Sequence, residues 1–262
     1  SMVAPHFPLI APQEFYDLYD KLGLMPTKPR ESQEHPWHHA MRNCQIMDNF
    51  TSERTRVALA SYYGLVTFID DLIGKILGAV EQNGLGDNTQ IFYLSDHGDN
   101  IGERDLWGKS NFYEESVGIP CIIKGPGIPV EKTVKTPVSL IDVCPTILKT
   151  AGITPEAKPG TSLVDLANAE DNLDRLVFSE YHAVGSATGA FMIRKGQWKL
   201  VYYVSMQPQL FNLVDDPEEL HDLGADPKHA GKRRQLEAEL RSICDPEAVD
   251  AMAKADQMAI IN

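Results

Sequence analysis

The chain has 262 residues, 43% hydrophobic, 8% aromatic and 23% charged, a balance that supports a sizeable buried core and excludes a disordered or fibrous polymer. Lys and Arg number 24 against 37 Asp and Glu, a formal net charge of −13 scattered along the chain, which argues against a nucleic-acid partner that needs a basic face. No run approaches the roughly 18 apolar residues that suggest a membrane span, no signal-peptide pattern opens the chain, and the sequence leaves the compartment undefined.

In chain order, Pro5-His6-Phe7-Pro8 comes first, with Pro12 and Tyr16 behind it; taken alone, His6 reads as a mobile terminal residue. His35-Pro36-Trp37-His38-His39, followed by Cys44, matches no familiar zinc spacing. It reads as a loop, on the surface or packed near a cleft, with zinc as the remaining alternative. Over residues 51–83, Leu59, Tyr62, Val66, Ile69, Ile73, Ile76 and Val80 recur at alternating steps of three and four, which predicts a helix with one apolar face. Thr51 or Ser52 can cap its start, and Gly84 suits the left-handed position past its end. Asp70-Asp71 on this helix reads as a solvated or capping face.

Gln90-Ile91-Phe92-Tyr93-Leu94 follows as an apolar run without polar alternation, which predicts a strand covered on both faces, as in a parallel sheet. A second strand is expected over residues 119–123, stopped by Gly125-Pro126-Gly127. Residues 139–151 read as a helix with Pro145 in an early turn and Gly152 as its stop. The four cysteines, Cys44, Cys121, Cys144 and Cys244, include no C-x-x-C pair, so neither a disulfide framework nor a thiolate zinc site is expected. Cys121 and Cys144 lie in apolar runs and read as small buried hydrophobes.

From Leu176 onward short β-prone runs with close turns predict a small antiparallel sheet, in which Trp198-Lys199-Leu200 is core and strand. Residues 227–262 read as mostly helical, with Lys232-Arg233-Arg234 and Glu237 to Glu239 on a solvated face. The organisation is α/β: a layered α/β domain over residues 1–155, then a C-terminal α+β subdomain over 156–262.

Residues 95–109, Ser-Asp-His-Gly-Asp-Asn-Ile-Gly-Glu-Arg-Asp-Leu-Trp-Gly-Lys, hold the candidate chemistry. They follow the predicted buried strand, and loops past strand carboxyl ends form ligand crevices in open α/β sheets. Asp96 and His97 can offer a carboxylate oxygen and an imidazole nitrogen to a divalent cation, and Gly98 and Gly102 permit tight turns around it. Lys109 is a compact charge suited to an oxyanion. Arg104 either steers an anionic substrate or serves an internal ion pair. An ordinary turn explains Asp-His-Gly equally well on spacing alone.

An ordered set of segments resembles the second half of the catalytic domain of the sulfatases in the alkaline-phosphatase superfamily. It comprises Asn83 with Leu85-Gly86-Asp87-Asn88-Thr89, Tyr93-Leu94-Ser95-Asp96-His97-Gly98-Asp99, Gly102-Glu103, Gly118-Ile119-Pro120 and Lys124-Gly125-Pro126-Gly127. It continues with Ser139 through Leu148, Ala151-Gly152, Gln209-Leu210-Phe211-Asn212-Leu213 and Asp216-Pro217-Glu218-Glu219. The Asp-His pair and the Leu-Trp before Lys109 look more like choline-sulfatase-type bacterial enzymes than like lysosomal arylsulfatases. The resemblance implies a partial alkaline-phosphatase-like layered α/β domain followed by a small antiparallel sheet with helix. It implies that Asp96 and His97 are metal ligands, usually to calcium, that Lys109 contacts sulfate and the leaving-group oxygen, and that His6 binds sulfate and can protonate the leaving group. In similar choline-sulfatase-like chains the neighbourhood of His182 approaches the pocket; a satisfied structural histidine is the other reading.

Sulfatases of this kind attack with a formylglycine made from Cys or Ser in a Cys/Ser-x-Pro-x-Arg motif. Formylglycine is absent from this chain: Cys144 is followed at once by Pro145, and Cys244-Asp245-Pro246-Glu247-Ala248 ends in Ala. The expectation is a C-terminal portion of a sulfatase, inactive alone, that binds metal weakly and needs the missing N-terminal half to act on a small sulfate ester. A sheet deprived of its first strands exposes an apolar edge, which predicts pairing with that half or a homo-oligomer. Alternatives are a phosphonate monoester or phosphodiester hydrolase of the same superfamily, and a non-catalytic anion- or protein-binding module.

Overall fold

Through residues 2–44, 50–154 and 159–261, which the computed structural model describes, the elements run α1 (Gln13–Asp20), α2 (Pro36–Asn43), α3 (Ser52–Gln82), β1 (Ile91–Leu94), α4 (Glu114–Val117), β2 (Cys121–Lys124), α5 (Val143–Thr150), α6 (Leu163–Asn168), β3 (Leu176–Tyr181), β4 (Ala190–Lys195), β5 (Trp198–Tyr203), β6 (Gln209–Asn212), α7 (Ala230–Ile243) and α8 (Pro246–Ile261). They fall into two units that alternate along the chain. The first is Ser1–Glu34, Arg42–Lys109 and Glu115–Pro126; the second is His35–Met41, Ser110–Glu114 and Gly127–Asn262. The sequence-based boundary between residues 155 and 156 lies outside the described residues.

In the first unit the expected long helix is α3. The Thr51 hydroxyl accepts the Arg54 amide at 3.3 Å. At the other end Gly84, at φ +68°, lets its own amide reach the Glu81 carbonyl (2.9 Å) and that of Leu85 reach Val80 (3.1 Å). Burial follows the apolar stripe only in part: Leu59 and Ile69 are buried together with Leu65 beside the stripe, whereas Val66 is 41% and Ile76 53% exposed. α1 packs against α3. Its Tyr19 ring stacks on Tyr63 at 5.6 Å, and the Tyr19 hydroxyl lies 2.7 Å from Thr67 Oγ1. A Cβ at Gly64 would lie 3.1 Å from Ala11 Cβ and from the Phe15 backbone, so the missing side chain permits this approach.

β1 pairs antiparallel with β2, from Ile91 opposite Lys124 to Leu94 opposite Cys121. The expected parallel strand buried on both faces is therefore corrected: Tyr93 and Ile122 are exposed. Cys121 and Cys144 are exposed as well, not buried. A continuous apolar run records the character of both strand faces, not which neighbour lies on each.

In the second unit β3-β4-β5-β6 form the expected antiparallel meander, with Lys195 opposite Trp198 across a two-residue turn where Gly196 takes φ +57°. Phe191, Ile193, Leu200 and Leu210 of the sheet pack with Leu236 and Leu240 of α7, one helical turn apart, into a buried core. The helix expected over residues 139–151 begins as a 3-10 turn, Leu140–Asp142, opened by a capping box between Ser139 and Asp142, and continues as α5, with Pro145 in the first turn and Gly152 at φ +73° as the expected stop.

The histidine-rich segment is helical rather than a loop, and much of it is core. Trp37 and His38 are buried, and Trp37 Nε1 donates to the Thr188 carbonyl at 2.9 Å. His35 Nε2 donates to Gln207 O at 2.7 Å while its Nδ1 accepts the Trp37 amide at 3.2 Å. His38 lies between the hydroxyls of Tyr113 (3.3 Å) and Tyr203 (3.4 Å). These nitrogens serve as core hydrogen-bonding groups. Lys199 is in a strand as expected, but its ammonium is fully buried, 2.8 Å from Glu114 and 2.6 Å from Glu219. Burial pushes the Glu219 carboxyl up in spite of the pull of Lys199. Among the described residues no helix is long and apolar enough to cross a membrane.

Candidate functional site

The site lies in the first unit, where β1 delivers the chain into residues 95–109. Ser95 Oγ donates to the His97 carbonyl at 2.7 Å, and the His97 amide donates to Asp96 Oδ1 at 3.1 Å. The turn then passes so close to its neighbour that a Cβ on Gly98 would lie 2.0 Å from the Glu115 carbonyl oxygen. Glycine is the residue that fits.

This turn orients both candidate ligands. His97 Nδ1 lies 2.8 Å from the Gly98 carbonyl, which can only accept, so Nδ1 carries the proton and Nε2 presents its lone pair. That Nε2 is 3.6 Å from Asp96 Oδ2, and the Asp96 side chain is 84% exposed. An imidazole aimed by a backbone carbonyl beside an exposed carboxylate suits a divalent cation, and supplies two of its donors. Among the described residues no group of three or more His, Cys, Asp or Glu is placed to hold a metal.

His6 joins the cluster from the start of the chain, its ring 5.8 Å from that of His97 and edge-on to it. Lys109 Nζ lies 3.0 Å from His6 Nε2. His6, His97 and Lys109 therefore meet, with Asp96 on the open side.

The loop between the Asp-His pair and Lys109 is bent by positive φ at Ile101, Gly102, Arg104, Asp105 and Gly108. It is also tied internally. Asp99 Oδ1 accepts the amides of Ile101 (2.9 Å) and Gly108 (3.0 Å), and the Asn100 amide donates to Gly108 O at 2.8 Å. Burial pushes the nearby Tyr62 phenol up to about 12, and the Asp99 charge adds to the effect. Arg42 braces the bend from outside, donating to the carbonyls of Arg104 (2.9 Å) and Asp105 while pairing with Glu34 at 2.7 Å. Glu103 accepts the backbone amides of Thr27 (2.9 Å) and Lys28 (2.6 Å).

Arg104 takes the ion-pair alternative. It is buried, with its guanidinium 2.9 Å from Glu115 Oε1, and Lys28 pairs with the same carboxylate. Burial pushes the Glu115 carboxyl up, but the Lys28 hydrogen bond and the Arg104 charge outweigh it and hold the group below the usual carboxylate range. His182 belongs to the second unit. Both of its ring nitrogens are buried without a hydrogen-bond partner among the described residues, and Nε2 lies 3.6 Å from Glu180 Oε2.

Sequence reasoning missed Arg42, Glu115 and Ser116. Adjacent glutamates before an expected strand look like surface charge; only burial marks them as structural. The nearest available signal was the short spacing between Lys109 and that segment.

Comparison with known proteins follows the same map. The family model described as Sulfatase matches residues 1–153, and the model described as N-sulphoglucosamine sulphohydrolase, C-terminal, matches residues 102–245. The chain is 34% identical to the choline-sulfatase of Rhizobium meliloti (strain 1021), over 98% of this chain and 52% of that protein. It is 33% identical to arylsulfatase K of Bos taurus, over 89% of this chain and 45% of that one. Among solved structures, a phosphonate monoester hydrolase from Silicibacter pomeroyi superposes with a TM-score of 0.78 at 27% identity, covering 91% of this chain and 53% of that chain. A protein solved in complex with its substrate D-glucosamine-2-N,6-O-disulfate gives a TM-score of 0.68 at 27% identity, covering 73% and 41%. The chain thus spans about half the length of the curated relatives it matches.

Proposed function

The chain belongs to the sulfatase family, with the α/β fold of the alkaline-phosphatase superfamily, and from that premise we propose that it supplies the metal, sulfate and leaving-group contacts of a sulfuric ester hydrolase. The observation that carries this reading is the 3.0 Å approach of Lys109 Nζ to His6 Nε2 beside the His97 ring. An ammonium and an imidazole converging beside two ligand-type side chains suit a tetrahedral anion better than a neutral substrate.

In this reading Lys109 holds the ester oxygens and offsets charge as the leaving-group bond breaks, while His6 contacts the sulfate and, in its imidazolium form with Nε2 protonated and turned from Lys109 to the ester, passes that proton to the departing alkoxide. Asp96 and His97 would hold a divalent cation, calcium by family resemblance; such an ion neutralises the anionic ester and polarises it for attack. Hard cations of this size take about six or more donors, so these two residues alone bind it weakly. The 262 residues contain no Cys/Ser-x-Pro-x-Arg motif, so the chain does not supply the formylglycine nucleophile and is inactive by itself. Residues 1–155 form the second half of the catalytic domain and 156–262 its C-terminal subdomain. The exposed apolar residues Ile76, Tyr93 and Ile122 support pairing with the other half of that domain, or self-association in its absence.

The likeness to a phosphonate monoester hydrolase supports a second reading, hydrolysis of phosphonate monoesters or phosphodiesters, since the same frame accepts either anion. The test is turnover by a polypeptide that joins this chain to the rest of its catalytic domain, comparing kcat/KM for an aryl sulfate and an aryl phosphonate monoester. Preference for the sulfate supports the first reading, and preference for the phosphonate replaces it with the second. Binding of sulfate without turnover of either would leave an anion-binding module.

A further inference from the structure

We propose that Ser116 is a positioning residue that sets the gap between the Asp96-His97 turn and Lys109; the inference rests on the reading above, in which those residues share one anion site. Ser116 is 2% exposed and lies in α4, outside the 95–109 loop. Its carbonyl accepts the Gly98 amide at 2.8 Å, directly after the candidate metal pair. Its hydroxyl donates to the Lys109 carbonyl. One buried residue therefore bonds to the backbone at both ends of the site, across a loop with five residues at positive φ. Its neighbour Glu115 packs on the same turn, with its carbonyl oxygen 2.0 Å from where a Cβ on Gly98 would lie and its carboxylate on Arg104 and Lys28.

The consequence follows from the chemistry of lysine. Its stem is long and rotatable, so where the ammonium sits depends on where the backbone starts. With the Lys109 carbonyl anchored, Nζ reaches His6 Nε2; with the anchor gone, the end of a bent loop is free to shift. An interaction that counts only when charge develops on the leaving oxygen is sensitive to about 1 Å of displacement, which can cost on the order of 10²-fold in rate.

The test is a double-mutant cycle in the polypeptide carrying the complete catalytic domain, with Ser116→Ala, Lys109→Ala and the pair, read as kcat and KM for an aryl sulfate and checked by urea denaturation. The expected result is a kcat lower by about tenfold for Ser116→Ala with KM little changed, and no further loss when Ser116→Ala is added to Lys109→Ala. Ser116→Thr, which keeps the hydroxyl, should recover most of the rate. An unchanged kcat in Ser116→Ala, or the same fold loss in both backgrounds, overturns the proposal, because Ser116 would then act on stability or elsewhere. If Lys109→Ala alone leaves turnover intact, the site reading fails first and the positioning role falls with it.

Discussion

Lys109 Nζ lies 3.0 Å from His6 Nε2, although 103 positions separate the two residues. An ammonium can only donate, so His6 accepts at Nε2 and holds its ring proton on Nδ1, 2.9 Å from the Phe7 carbonyl. The two groups form a directed pair rather than two independent charges. With the complete catalytic domain present, Lys109→Ala should lower kcat for an aryl sulfate by at least ~10²-fold, the usual effect of removing a group that stabilises transition-state charge. Lys109→Arg should not restore it, because a planar fork does not replace a point donor at this spacing. Steady-state kinetics check both, and unchanged turnover would remove Lys109 from the site.

Gly98 is held against a backbone oxygen that has no freedom to rotate away. A Cβ there would lie 2.0 Å from Glu115 O, so Gly98→Ala must displace either the turn or α4. The expected cost is about 1–3 kcal/mol of unfolding free energy, typical of overpacking. Urea midpoints for the two proteins measure it; equal midpoints would show that the turn and α4 can separate at no cost.

Glu115 makes stability depend on pH in a stated direction. Its folded carboxyl is held below the ordinary value of 4.5, so its ion pairs stabilise the fold above that value, and the contribution is lost as pH falls through the lower folded value. The stability gap between the natural protein and Glu115→Gln should therefore be widest near neutrality and narrow in acid. Denaturation series from about pH 7 to about pH 3 test this. A gap that grew in acid would contradict the sign.

Asp96 and His97 offer two donors and no more, so calcium should bind the isolated chain weakly and the complete catalytic domain more tightly. Asp96→Ala should reduce that affinity by roughly 10-fold or more. Titration calorimetry on natural and variant proteins, with chelator-treated protein as reference, reads it. Affinity unaffected by the substitution would place the cation elsewhere.

The first unit exposes Ile76 at 53% and Ile122 at 62%, beside Tyr93 on β1. Expressed alone, the chain should self-associate in a concentration-dependent way, and the remaining half of the catalytic domain should suppress that. Light scattering after size exclusion distinguishes the cases. A monodisperse monomer with a cooperative melt would count against the exposed face as an association surface.

What was legible in the residues alone was local. The long helix, its Thr51 cap and its Gly84 stop, the helix containing Pro145 and stopped at Gly152, and the meander from Leu176 rest on periodicity and turn chemistry, which act over a few residues and are written in sequence. Asp96, His97, Lys109 and His6 could be named from an ordered pattern, although no spacing rule says that His6 and Lys109 touch. Long-range packing set the rest. It paired β1 antiparallel with β2, left Cys121 in solvent, and placed His38 between two tyrosines. It also buried Arg104 against Glu115 and drew Ser116 to both ends of the site loop. A charged or hydroxyl side chain looks the same in sequence whether water or a buried partner satisfies it; only the folded chain removes the water and makes the partner necessary.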